Sequence, residues 1–218
     1  MADAVWPPLP PPKATPTPSF HVVVAGTSLV RLFEPGRYNN TALTFRYKGP
    51  YSRFDHHRGE VTGDDTTPRK PAADEQRGVY YAAFTLSSCI VEIFGDEGII
   101  RTDTHYVSRP TVTRDLLLLD LRGSGAMLAG TISALAKVRG RPITQAWSRY
   151  FYENMATYKE IDGLIYSNAH NDEDAIVVYE RAEAAVKCPP DQFRPLANPA
   201  LRASLLEIAF KHNLKPLM

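Results

Sequence analysis

GVYYAAFTLSSCIVEIFGD, residues 78–96, changes period in its middle, and that change sets the fold class. Val79 to Ala83 is a short β-branched and aromatic run behind a glycine, the composition of a strand. From Thr85 onward the apolar residues Leu86, Cys89, Ile90, Ile93 and Phe94 recur at i, i+3, i+4, i+7 and i+8, the stripe of a helix laid on a core. Thr85 is a suitable N-cap, and Gly95 suits a left-handed residue just past the end. Glu92 falls off the stripe, on the side of Ser88. Periodicity alone turns its carboxylate to water.

The flanking chain extends the pattern. FHVVVAGTSLVRLFEP, from Phe20, reads as two strands broken near Ala25 and Gly26, with Arg31 inside the second. LLLLDL at 116–121 is uniformly apolar, as a strand buried on both faces is. Helices are expected over 126–138, from about Thr144, and over 199–212, and strands at GLIYS, 163–167, and AIVVYE, 175–180. Strands and helices mix without regular alternation, so the class is α+β, one domain with a mixed sheet flanked by helices. Residues 55–78 are polar and rich in Gly, Pro and Asp, and are expected as a surface loop.

Residues 7–18 hold seven of the chain's eighteen prolines, which fix polyproline dihedrals and remove amide donors. Residues 1–19 therefore form an arm outside a domain spanning 20–218, either solvated or draped over it.

Lys plus Arg number 25 against 24 Asp plus Glu, so no long-range field draws the chain to nucleic acid or an anionic membrane. No apolar run approaches the roughly 20 residues of a bilayer span. With two cysteines and no basic-then-apolar start, a reducing cytoplasmic setting is expected. Self-association is left open. GSG at 123–125 lacks a full phosphate-binding fingerprint and reads as a turn. Asp55, His56 and His57, and His170 with Asp172 and Asp174, lack helical zinc spacing and are expected as loop polarity, and Cys89 as a packed thiol.

Four segments give the pattern a chemical meaning. LVRLF at 29–33, YSRFD at 51–55 and VYYAAFTLSSCIVE at 79–92, with DGLIYSNA at 162–169, resemble the RES-domain family over about 27–181. Tyr81 and Glu92 keep the family's spacing of eleven, whereas Ser52 stands where a glycine is usual. The resemblance implies an ADP-ribosyltransferase-like core and an NAD+-degrading toxin held in check by a cognate antitoxin. It implies Arg31, Tyr81, Glu92 and Ser167 as catalytic residues. Arg53 and Ser148 are implied as substrate-binding, with either serine able to fill the family's hydroxyl role. NAD+ is then a substrate, with water or inorganic phosphate as acceptor, and no cofactor or metal is required. A related reading transfers ADP-ribose to a protein. A reading from another class keeps the pocket as a non-catalytic nucleotide-binding or interaction module.

These residue types suit that chemistry. Cleaving the nicotinamide-ribosyl bond builds positive charge on the sugar, which a nearby carboxylate opposes more strongly at the transition state than in the ground state. An arginine grips pyrophosphate with two parallel hydrogen bonds, which lysine does not reproduce. A tyrosine ring flanks nicotinamide.

Overall fold

In the computed structural model, residues 7–64 and 66–217 are described. Six strands matter for the site: β1 (Phe20–Val23), β2 (Arg31–Phe33), β3 (Val79–Ala83), β4 (Leu116–Asp120), β5 (Gly163–Ser167) and β6 (Asp174–Tyr179). Five of them form the central sheet in the order β1-β4-β5-β6-β3. All its neighbours are antiparallel except β4 and β5, which run parallel. The fold is α+β. The apolar run 116–119 earns its place beside the middle of this sheet, where Leu116, Leu118 and Leu119 are fully buried.

Register decides which residues share a face. Tyr81 lies opposite Val177 and Val177 opposite Leu164, while Ala83 lies opposite Ala175 and Ala175 opposite Tyr166. Since side chains alternate along a strand, Tyr81, Ala83, Ala175 and Tyr166 all stand on one face. That face carries the larger apolar core, with Trp147, Phe151 and Ile90, and the other carries Tyr80, Ala82, Ile165 and Ile176.

The three longest helices among the described residues are α1 (Leu86–Phe94), α2 (Arg141–Glu153) and α3 (Arg202–Lys211). Thr85 caps α1 as expected, its Oγ1 accepting from Ser88 N at 3.0 Å. The end of α1 differs from expectation: Gly95 is right-handed at φ −62°, and the left-handed residue is Gly98 at +69°, whose N–H bonds Phe94 O. Glycine is needed at 95 for space instead, because a Cβ there would run into the Val91 backbone carbonyl and meet His170 Nδ1 at 2.7 Å. The apolar stripe is also rotated from expectation, with Val91 buried and Ile93 40% exposed.

The helix expected over 126–138 is broken. Gly130, at φ +88°, stops a short helix over Ser124–Leu128, and a 3-10 turn follows over Ser133–Lys137. Of the arm, residues 7–19 drape over the domain: Trp147 Nε1 donates to Pro8 O at 2.6 Å, and Thr17 N to Leu128 O at 3.0 Å. The remainder of the arm, residues 1–6, lies outside the described residues. Among the described residues no helix is long and apolar enough to cross a membrane.

The expected surface loop at 55–78 is corrected at its start. Asp55, His56 and His57 are fully buried, and the polar surface is confined to the later part, where Asp74 and Gly78 are also buried. The reason is a set of partners supplied from elsewhere in the chain. His56 Nε2 donates to Glu180 at 2.9 Å, and Tyr152 Oη and Gly78 N donate to the same carboxylate. His57 Nε2 donates to Arg46 O at 2.9 Å. Burial lowers the His56 pKa to about 4 despite Glu180, and lowers that of His57 despite Asp55. Both rings are neutral at pH 7.

Candidate active site

A cleft of about 320 Å³ opens between the β3 edge of the sheet and α1. Arg31 comes from β2, Arg53 from the loop before β3, Tyr81 from β3 and Glu92 from α1, and all four line it. Local contacts hold these elements in register. The Cys89 thiol of α1 donates to Val30 O beside Arg31 at 3.2 Å, and Val30 and Ala83 exchange backbone hydrogen bonds. Burial pushes that thiol up to about 12, so Cys89 is a packed group and not a nucleophile.

Glu92 does point off the buried face of α1, but the cleft lies on that side. Its side chain stays exposed at the cleft mouth, and it has no hydrogen bond or ion pair among the described residues. Crowding by the cleft wall raises its pKa above the usual carboxylate range, against the pull of Arg53 and His170.

The arginines likewise lack an acidic partner. Arg31 lies over the Tyr80 ring at 4.1 Å and donates Nη2 to Thr44 O at 3.0 Å. Its Nη1 is buried with no partner among the described residues. Burial lowers its pKa. Arg53 donates to Val138 O, and Arg141, at the start of α2, donates to Tyr51 O at 2.9 Å. Among the described residues none of the three meets a carboxylate.

Tyr81 is placed in the cleft, but its hydroxyl is committed. It donates to Asp55 Oδ1 at 2.8 Å and accepts from Phe54 N at 3.1 Å. Asp55 also receives Arg46 Nη2 and the amides of Tyr51 and Ser52. The hydroxyl thereby fixes the turn that presents Arg53, and the ring is what faces the cleft.

The two serines do not join this group. Ser148 is fully buried on the inner face of α2, donating to Phe54 O at 2.7 Å and sharing a hydrogen bond with Tyr179 Oη at 3.0 Å. It supports the Arg53 turn from beneath. Ser167 lines a separate hollow with Lys137 and Asp172, since alternation on β5 turns it from the face that carries Tyr166.

Arg141 and Tyr166 line the cleft and were not among the residues expected from sequence. A signal for Tyr166 existed in the parity of the strands, given the pairing of β5 with β6 and of β6 with β3. Nothing in the sequence marks Arg141, which reaches the cleft only because α2 starts beside Tyr51.

An α+β domain with a cationic cleft and one free carboxylate is thus defined, and comparison with known proteins gives its family. The RES domain family model matches residues 28–198, and the chain belongs to that family. A chain from the crystal structure of the M. tuberculosis MbcT-MbcA toxin-antitoxin complex is similar at a TM-score of 0.48 and 14% identity, covering 84% of this chain and 91% of that one. No curated protein matches the chain.

Proposed function

We propose that the chain cleaves NAD+ at the nicotinamide-ribosyl bond, and that it acts as a toxin restrained by a cognate antitoxin. The reading is supported by family membership and carried by one observation: among the described residues, three guanidinium groups and one carboxylate share a cleft and none is ion-paired. A buried donor left unpaired costs about 1–3 kcal/mol, more when charged, and a bound anion removes that cost. Pyrophosphate is an anion of suitable shape for Arg31, with Arg53 and Arg141 beside it. Glu92 is then left to the ribose.

In this reading the C1′–N bond breaks with its electron pair passing to the pyridinium nitrogen, so nicotinamide leaves neutral. Ionised Glu92 accepts a hydrogen bond from a ribose hydroxyl and opposes the charge on C1′. Water or inorganic phosphate adds to C1′; water loses a proton to give ADP-ribose, and phosphate gives its 1″-phosphate. The Tyr81 ring flanks the nicotinamide.

The test is NAD+ consumption by the purified chain, with products resolved by chromatography. Glu92→Gln is expected to lower kcat by about 100-fold or more at an unchanged melting temperature. Since only ionised Glu92 serves, kcat/KM falls on the acid side with an apparent pKa above 4.5. Equal NAD+ loss with parent and variant overturns the role of Glu92. Label found on an added protein, with no free ADP-ribose, replaces hydrolysis by transfer.

A further inference from the structure

The tip of β5 reads Tyr166-Ser167-Asn168, and its three side chains go to three places. Tyr166, opposite Ala175, stands on the cleft face beside Tyr81. Ser167, opposite Asp174, turns to the hollow with Lys137. Asn168 is fully buried, and its Nδ2 donates to Ser88 Oγ at 2.8 Å. Ser88 is one turn before Glu92 on α1, so this bond locks the strand tip to the helix that carries the acid.

The cleft hydroxyls differ in what they have left to give. Tyr81 is held by Asp55 and Phe54. Ser52 Oγ accepts from Arg46 at 3.3 Å, and Ser88 accepts from Asn168 while donating to Asp174 O at 3.4 Å. Tyr166 is 3% exposed, with its ring 4.7 Å from that of Phe54, yet its hydroxyl has no hydrogen-bond partner among the described residues. The ring is packed away while the hydroxyl reaches the cleft, so its donor and acceptor positions are free for a bound molecule.

We propose that Tyr166, and not Ser167, supplies the hydroxyl that hydrogen-bonds the nicotinamide ribose alongside Glu92. This rests on the NAD+ reading above. The phenol acts as a donor: burial raises its pKa well above the ordinary value, with Glu92 the first charge adding to that and Arg53 opposing it, so the proton stays on through the neutral range. A donor beside an acceptor carboxylate fits a pair of neighbouring ribose hydroxyls, one donating to Glu92 and one accepting from Tyr166. A serine hydroxyl at the same strand position would fall short of the space that the aromatic ring spans.

The experiment compares the parent, Tyr166→Phe and Ser167→Ala in NAD+ turnover, and measures NAD+ affinity in a Glu92→Gln background by calorimetry, all below the melting transition. Tyr166→Phe keeps the ring on Phe54 and removes only the hydroxyl. It is expected to lose about 10-fold or more in kcat/KM at the parent's melting temperature, and to weaken NAD+ binding to Glu92→Gln protein, with the smaller loss in Ser167→Ala. A packing role would move the melting temperature and leave affinity alone. Tyr166→Phe within twofold of an active parent, or a larger loss in Ser167→Ala, overturns the assignment while leaving the NAD+ reading intact. A parent that neither consumes nor binds NAD+ overturns both.

Discussion

Two sets of arginines divide this molecule. Arg46, Arg114 and Arg122 each meet carboxylates: Arg46 reaches both oxygens of Asp55, Arg114 both of Asp162, and Arg122 both Asp120 and Asp174. Arg31, Arg53 and Arg141 have only backbone carbonyls or rings as partners among the described residues, and all three line one cleft. The first set is satisfied by the fold. The second keeps guanidinium donors that no carboxylate of the fold takes up among the described residues, with Arg31 Nη1 buried and unpartnered, and that contrast is what the proposed anion site rests on.

The contrast breaks most visibly at Asp55, which is the hub of the satisfied set and the support of Arg53. Asp55→Ala removes the acceptor for Arg46, Tyr81 and two amides and leaves Arg46 without a carboxylate. A loss of about 3–5 kcal/mol is expected, read as a fall in melting temperature of roughly 6–20 °C by calorimetry. Little change in melting temperature would mean that the turn holds itself.

Acid gives the next largest effect, at the same end of the molecule. His56 has a folded pKa of about 4 against 6.5, so as pH falls below 6.5 the unfolded chain takes up the proton first. Its contribution, on the order of 3 kcal/mol, is complete above pH 6.5 and lost progressively towards pH 4. Glu180, at about 2 against 4.5, extends the loss from pH 4.5 towards 2. Urea midpoints measured from pH 7 to 4 should fall steadily, and His56→Gln should flatten the upper part of that slope.

Arg31→Met sharpens the comparison with the smallest expected change in stability. Removing a desolvated guanidinium that has no carboxylate partner is expected to leave the melting temperature level or higher, while NAD+ affinity falls about 10- to 100-fold in calorimetry. The same change at Arg122 strands Asp120 and Asp174 and should lower the melting temperature. If both variants lose stability equally, the division between the two sets is wrong.

Much of the fold was legible because its signals are local. The break near Gly26, the strand at 116–120, the switch at Thr85 from strand to helix and the strands 163–167 and 174–179 all follow from periodicity and caps within a dozen residues. The helix over 126–138 failed at Gly130, where the left-handed turn is itself a local feature but glycine alone does not demand it. Arg31, Arg53, Tyr81 and Glu92 were legible as a set through family spacing. Ser148 and Ser167 were named by the same resemblance and lie elsewhere, because a motif gives a position along the chain and not the direction of a side chain.

The order of residues by itself determined the α+β class, the composition of the elements, and that the acid of α1 stands off the apolar stripe. Whether that acid meets bulk water or a shared cleft was decided only when β3, β6 and β5 paired. The same pairing chose Tyr166 over Ser167 and sank two histidines of a polar loop beneath Glu180 and Arg46. The physical reason is parity and distance: alternation along a strand is read from neighbours, but which face is covered, and by what, depends on partners about a hundred residues away.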